Sequence, residues 1–249
     1  VADLGPKNLD DYKQVGGQKG SNKGGLYEGP DGDQVYVKFQ DEAHANNEIL
    51  ASKLYALAGI DTAEVNKGTL NGEAVTYSPI VEGTQGFNDK LDDPQFMEKL
   101  QDGFAADAWL ANWDVAGLNN DNVVVTPDNK PVRIDQGGAL QFRAQGQPKG
   151  DAFGDKANEV DTLVDLGTNP QAAKVFQDMT PEQKKASAML IGAGATDDKI
   201  SEAVKSVYGD TPEADALTQK LITRRQDVIT RLTGVEAAPE ATPATSKQE

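Results

Sequence analysis

The chain has 249 residues, a formal net charge of −16, no cysteine and a single histidine, His44. The missing thiols exclude disulfides, thiolate chemistry and cysteine-ligated zinc, and one histidine excludes a multi-histidine metal site. So acidic a field repels nucleic-acid backbones and anionic lipid surfaces, so neither is an expected partner, and an anionic ligand would need a local basic pocket.

Hydrophobic residues make up 37% of the chain and the mean hydropathy is −0.56. No run approaches the roughly 18 apolar residues of a membrane span, and no basic stretch leads into an apolar one at the start, so a soluble chain without a secretory signal is expected. The Val1 start and the composition of the last residues suit a domain cut from a longer polypeptide, or one member of an assembly.

Residues 14–25 are too rich in glycine for the interior of an element and read as a hairpin loop, with Lys19 and Lys23 among the glycines. Gly29-Pro30-Asp31-Gly32 is turn chemistry, and Gln34–Phe39 is a β-strand by its β-branched and aromatic content, with Lys38 inside it. From Asp41 to Ala58 the apolar positions Ile49, Leu50, Leu54 and Leu57 recur at helical spacing, and Gly59 ends the helix. That helix carries Glu48 and His44; the polar neighbours Glu42, Asn46 and Asn47 place His44 on the helix surface. Ala63–Leu70 and Glu73–Val81 are strand-like around Asn71-Gly72, a hairpin signal.

A Gly/Asp/Pro-rich connection over 83–94 leads into a helix of about 95–112 that stops at Asn112-Trp113-Asp114. The runs 122–126 and 131–135 read as a hairpin around Pro127-Asp128-Asn129-Lys130, followed by a long Gly/Gln/Pro/Lys-rich loop at 143–158. Thr180-Pro181-Glu182-Gln183 has the form of a capping box, Asp197-Asp198 precedes another helix, and Thr211-Pro212 opens a long one to about Leu232. Residues 235–249 are Ala/Pro/Thr-rich with little to bury, and are expected to be a disordered tail or linker. The chain thus divides into a β-rich lobe with one helix over 1–84, a mainly helical lobe over 85–234, and the tail.

Taken singly, a glycine cluster is an ordinary loop, a strand lysine or helix glutamate a solvated face, and Asn119-Asn120-Asp121-Asn122 a turn. Their order carries more. A glycine-rich hairpin, a strand bearing Lys38 and a helix bearing Glu48 form the succession that sets a lysine under nucleotide phosphates and holds it with a carboxylate. The second half supplies acids and amides: Asp114 past a helix end, Asn122 before the strand Val123-Val124-Val125, and Asp135 before Gly137-Gly138. Phosphoryl transfer needs one carboxylate to orient an acceptor hydroxyl and take its proton, and oxygen ligands for Mg²⁺. Asp114 suits the first task, Asn122 and Asp135 the second.

Gly20-Ser21-Asn22, Val37-Lys38-Phe39, Asn47-Glu48, Ile80-Val81-Glu82-Gly83, Asp121-Asn122 and Ile134-Asp135-Gln136-Gly137-Gly138-Ala139-Leu140 resemble the signatures of HipA-like and phosphatidylinositol 3-/4-kinase-like domains, over roughly residues 14–165. The resemblance implies an α+β, two-lobed protein-kinase-like fold that binds ATP and Mg²⁺. Gly20, Ser21, Asn22 and Lys38 would lie on the phosphates, Glu48 would partner Lys38, Glu82 and Gly83 would form the hinge by the adenine, and Asp135 would hold the metal. One departure stands out. The family's catalytic Asp lies five residues before its metal-binding Asn, yet five before Asn122 is Gly117, and Asp114 lies eight before. Asp114 and Asn119 keep the five-residue separation, which leaves Asn119 as the alternative ligand; Asn122 is preferred because it directly precedes the strand. A kinase acting on a protein hydroxyl is the leading expectation, in a cytoplasm or exported into that of a host. A lipid acceptor fits the acidic surface less well, and an inactive kinase-fold module and an AMP transferase are the alternatives.

Overall fold

The computed structural model describes residues 6–19 and 22–234. Gly20, Ser21 and the tail over 235–249 lie outside the described residues, and so do the readings placed on them.

The first part is a six-stranded sheet in the order β1-β5-β6-β4-β3-β2. Its strands are β1 (Lys7–Asn8), β2 (Lys13–Gly16), β3 (Gly24–Glu28), β4 (Gln34–Lys38), β5 (Asn66–Leu70) and β6 (Glu73–Pro79). All neighbours are antiparallel except β1 beside β5. The glycine-rich stretch is less of a loop than expected: Gly16 ends β2, and Gly24 and Gly25 open β3. Asn71 and Gly72, at φ 51° and 79°, make the tight β5–β6 turn that their pairing predicts. The alternation of β4 buries Val35 and Val37 with Leu9, Leu70 and Val75, and turns Tyr36 and Lys38 to the other face.

Helix α1 (Glu42–Leu57) follows β4, capped by the Asp41 carboxylate, which accepts from the His44 backbone N–H at 2.9 Å. It ends at Gly59, at φ 73°. Its apolar side chains Leu50, Ala51, Leu54 and Tyr55 are buried in the core of the helical part, with Phe104, Trp109, Ile191, Val204 and Leu221. Each such aliphatic side chain is worth roughly 1.5–3 kcal/mol in burial, so α1 is anchored chiefly to that part.

The connection after β6 contains a short strand not evident from composition, β7 (Thr84–Gln85), which pairs with β8 (Val123–Val125); β8 pairs with β9 (Pro131–Arg133), all antiparallel. The expected helix over 95–112 is two helices, α2 (Pro94–Gln101) and α3 (Phe104–Trp109). The break falls at Gly103, where the Arg133 guanidinium leaves no room for a Cβ. Arg133 is buried there, bonded to the Asp107 carboxylate through Nε at 2.9 Å and Nη2 at 2.6 Å, while the Tyr55 hydroxyl donates to the same carboxylate at 2.7 Å. Two short helices that composition did not suggest, α4 (Glu159–Thr162) and α5 (Pro170–Phe176), precede α6 (Pro181–Gly194), α7 (Asp197–Tyr208) and α8 (Pro212–Thr233). The Thr180–Gln183 capping box forms on both sides, and Thr196 and Thr211 cap the last two helices. Among the described residues no helix is long and apolar enough to cross a membrane.

Candidate active site

Lys38 leaves the end of β4 and points across the cleft between sheet and helices. Its ammonium donates to Glu48 Oε1 at 2.7 Å and to Asp135 Oδ1 at 2.9 Å. Burial by itself would lower its pKa, but the two carboxylates outweigh that and raise it, so Lys38 is held as a cation. Glu48, buried on α1, is fixed through its other oxygen by Gln40 Nε2 at 3.0 Å, and Gln40 also donates to Thr76 Oγ1 at 3.0 Å. Asp135 keeps about half its side chain exposed, 48%, and Lys38 holds its carboxyl below the usual range. Its backbone is left-handed, at φ 57°.

Asp114 and Asn122 meet directly: the Asn122 amide donates to the Asp114 carboxylate at 3.0 Å and to the Asp114 backbone oxygen at 2.7 Å. Burial pushes the Asp114 carboxyl up to about 6, with the Asn122 bond opposing and the nearby Asp135 and Asp121 charges adding to the rise. The loop between them is closed by bonds from Asn120 N to Gly117 O and from Asn122 N to Ala116 O. At Gly117, φ 76°, a Cβ would run into the Asp121 carboxylate and the Asn122 side chain. A carboxylate five residues before Asn122 therefore has no room, and Asp114, eight before, reaches back instead. Asn119 is exposed, and its carbonyl accepts from Asn88 Nδ2 at 2.9 Å, on the side facing the connection after β7. Asp114 is also in close contact with the turn after Asp135, since a Cβ on Gly138 would lie 3.1 Å from its own Cβ. Lys38, Glu48, Asp135, Asp114 and Asn122 are thus one cluster.

A cavity of about 430 Å³ opens beside it, lined by Lys19, Asn22, Lys38, His44, Asp135, Gly137 and Arg143 among others. Tyr36, on the same face of β4 as Lys38, receives the Lys19 backbone N–H at 2.6 Å and donates its hydroxyl to Lys19 O at 2.8 Å, tying the glycine-rich arm to the cavity edge. Lys23 lies over the Phe39 ring at 4.4 Å. Glu82 and Gly83 are exposed on the crossing from β6 to β7 and lie outside the lining of this cavity.

His44 departs from expectation. Its Nε2 faces Gly146 O at 2.8 Å, its Nδ1 faces the Asp41 carboxylate at 2.8 Å, and its ring lies 4.1 Å from Phe142. Next along the helix, Asn47 donates to Ala139 O at 2.9 Å and accepts from Gln141 N at 3.0 Å. The polar residues that suggest a solvated face are partners for the backbone of the segment after Asp135. Lys149 was equally hidden, one lysine in a loop of mixed polar residues, and no local signal marks it as buried.

Among the described residues no three His, Asp or Glu groups gather as a metal cage. Mg²⁺ is ordinarily held by one or two protein oxygens together with phosphate and water, and Asp135 with Asn122 offers such a donor set. With its amide N–H bonded to Asp114, Asn122 has its carbonyl oxygen available as the ligand atom.

No family model matches the chain, and no curated protein does. Among solved structures, that of CtkA, a proinflammatory kinase of Helicobacter pylori, matches with a TM-score of 0.61 at 14% identity, covering 94% of this chain and 100% of that one. At such identity the likeness is one of fold, and that fold is kinase-like: α+β, with a β-rich N-terminal part and a helical C-terminal part.

Proposed function

We propose that the chain is an ATP- and Mg²⁺-dependent phosphotransferase of the atypical kinase type, in the manner of HipA-like and phosphatidylinositol 3-/4-kinase-like domains, acting on a hydroxyl of a protein. The observation that carries this reading is the Lys38 ammonium held between Glu48 and Asp135 beside the Asp114–Asn122 pair. We assign nucleotide binding to the lobe over 1–84 and the catalytic and metal groups to that over 85–234.

Lys38 neutralises phosphate oxygens at the cavity, with Glu48 fixing its direction, while the arm around Asn22 covers the phosphates. Asp135 and Asn122 would hold Mg²⁺, which when bound supplies positive charge against the oxygens of the moving phosphoryl group. Asp114 orients the acceptor hydroxyl and takes its proton, and the Asn122 amide keeps the carboxylate turned to that task. Glu82 and Gly83 form the hinge beside the adenine. The acidic surface favours a protein acceptor over a lipid.

The test is incubation with Mg²⁺ and γ-labelled ATP, alone and with a cell extract, beside Asp135→Asn. Label on a protein with the wild type, reduced by roughly 10²-fold or more in the variant, is the expected result. Transfer only from α-labelled ATP would mark an AMP transferase. No transfer and no shift in melting with Mg-ATP would leave an inactive kinase-fold module.

A further inference from the structure

Lys149, in the long loop after the Asp135 segment, turns inward and is 4% exposed. Its backbone N–H is held by Gln141 O at 2.8 Å. Its ammonium donates to three backbone carbonyls: Ala111 at 2.7 Å, Gly138 at 2.8 Å and Leu140 at 3.0 Å. These belong to two separate turns. Ala111 leads into Asp114, and Gly138 and Leu140 follow Asp135.

Ala111 and Leu140 are in the left-handed region, at φ 50° and 55°, a conformation that side chains with a Cβ disfavour and that their surroundings must enforce. Beyond Lys149, a bond from Leu140 N to Leu110 O at 2.7 Å joins the two turns. The seat of the ammonium is built as well. The Trp113 ring lies 4.8 Å from Nζ; its indole N–H donates to Glu159 at 2.7 Å, and Glu159 accepts from Arg224 at 2.8 Å. Three acceptors match the three N–H groups of a protonated amine, whereas a neutral amine would leave one carbonyl facing a lone pair. Burial pushes Lys149 down to about 7, Glu159 opposes this, and Arg224 and Arg143 add to it.

We infer that Lys149 is a positioning residue for the transfer reaction: by binding both strained turns, its ammonium sets the spacing between Asp114 and Asp135. The inference rests on the kinase reading. Without the ammonium, three buried carbonyls lose their donor and the bond from Leu140 N to Leu110 O is left to join the two turns, a loosening that misplaces Asp114 against Asp135 while Glu48 still holds Lys38 in the cavity.

The test compares Lys149→Met and Lys149→Ala with wild type and Asp135→Asn, measuring steady-state transfer from Mg-ATP to water or to the protein that the labelling experiment identifies, with melting as the check on folding. In Lys149→Met, kcat is expected to fall by about 10²-fold while KM for ATP stays within about threefold. In Lys149→Ala, n-propylammonium should restore kcat by at least about tenfold, and n-propanol, of similar size but uncharged, should not. If the single variants unfold, Ala111→Gly/Lys149→Met, whose left-handed position is no longer strained, carries the same comparison against Ala111→Gly alone. A folded variant with kcat within about threefold of its parent, a loss confined to KM, or equal rescue by propanol would overturn the inference. A wild type without turnover defeats the kinase reading and this inference with it; an active wild type with an unaffected variant defeats this inference alone.

Discussion

Beneath the six-stranded sheet, the buried apolar group is small: Leu9, Val35, Val37, Leu70 and Val75, fringed by Tyr12, Tyr27, Phe39 and Tyr77. The helical body has a continuous core that runs from Leu50 of α1 through Phe96, Phe104, Trp109 and Phe176 to Val228 of α8. The site straddles the two. Lys38 is carried by the thinly packed sheet, whereas Glu48, Asp114, Asn122 and Asp135 are carried by elements tied to the larger core. Local stability follows buried apolar contact, so the sheet is expected to open first, removing Lys38 from a constellation whose other members are carried by the larger core.

That contrast can be broken where it is strongest. Asp107→Ala leaves the Arg133 guanidinium buried without its carboxylate, and is expected to cost about 3–5 kcal/mol in urea unfolding, through the helical body. Leu54→Ala, in the same core, should cost about 3 kcal/mol, and Val37→Ala, under the sheet, about 2 kcal/mol. The two differ in kind: in native-state hydrogen exchange, Val37→Ala should speed opening of β3 and β4 and leave α3 and α8 unchanged, while Leu54→Ala should lower protection throughout. Equal effects of both variants on all elements would mean that sheet and body unfold as one unit.

Glu48→Gln tests the seam between the regions. It keeps the side-chain shape but removes the charge, so the Lys38 pKa should fall and transfer should drop by roughly 10- to 100-fold, the equivalent of one charge-assisted hydrogen bond, with little change in melting. The smallest expected effect belongs to His44. Both ring nitrogens face acceptors, so the fold favours the imidazolium and raises its pKa. A raised pKa gives stability that is full below the unfolded value and lost as pH rises through the folded one. The melting difference between wild type and His44→Ala should thus be larger at about pH 5.5 than at about pH 8.5, and worth less than about 1 kcal/mol.

Much of the frame was legible along the chain. The alternation in Gln34–Lys38, the helical spacing after Asp41, the Asn71-Gly72 turn and the Thr-Pro helix starts are local signals, and local backbone preferences decide them. Lys38, Glu48, Asn122 and Asp135 could be placed along the chain for the same reason, because each sits on or within two residues of a regular element, whereas Asp114 lies in the loop beyond α3. Two-residue strands such as β7 carry too few residues for any periodicity, and their pairing supplies the hydrogen bonds instead.

What depended on the tertiary structure was every relation between distant segments. The need for glycine at 103 is set by Arg133, thirty positions on, and Asn122 is brought to Asp114 by a loop whose tightness Gly117 permits. His44, Asn47 and Lys149 look like solvated polar residues until the backbone of residues 138–146 folds against them. Amino-acid type and spacing determine which groups are available and which elements present them. The partner of a buried polar group is whichever carbonyl or carboxylate the packed core leaves unsatisfied beside it, and only the assembled fold decides which that is.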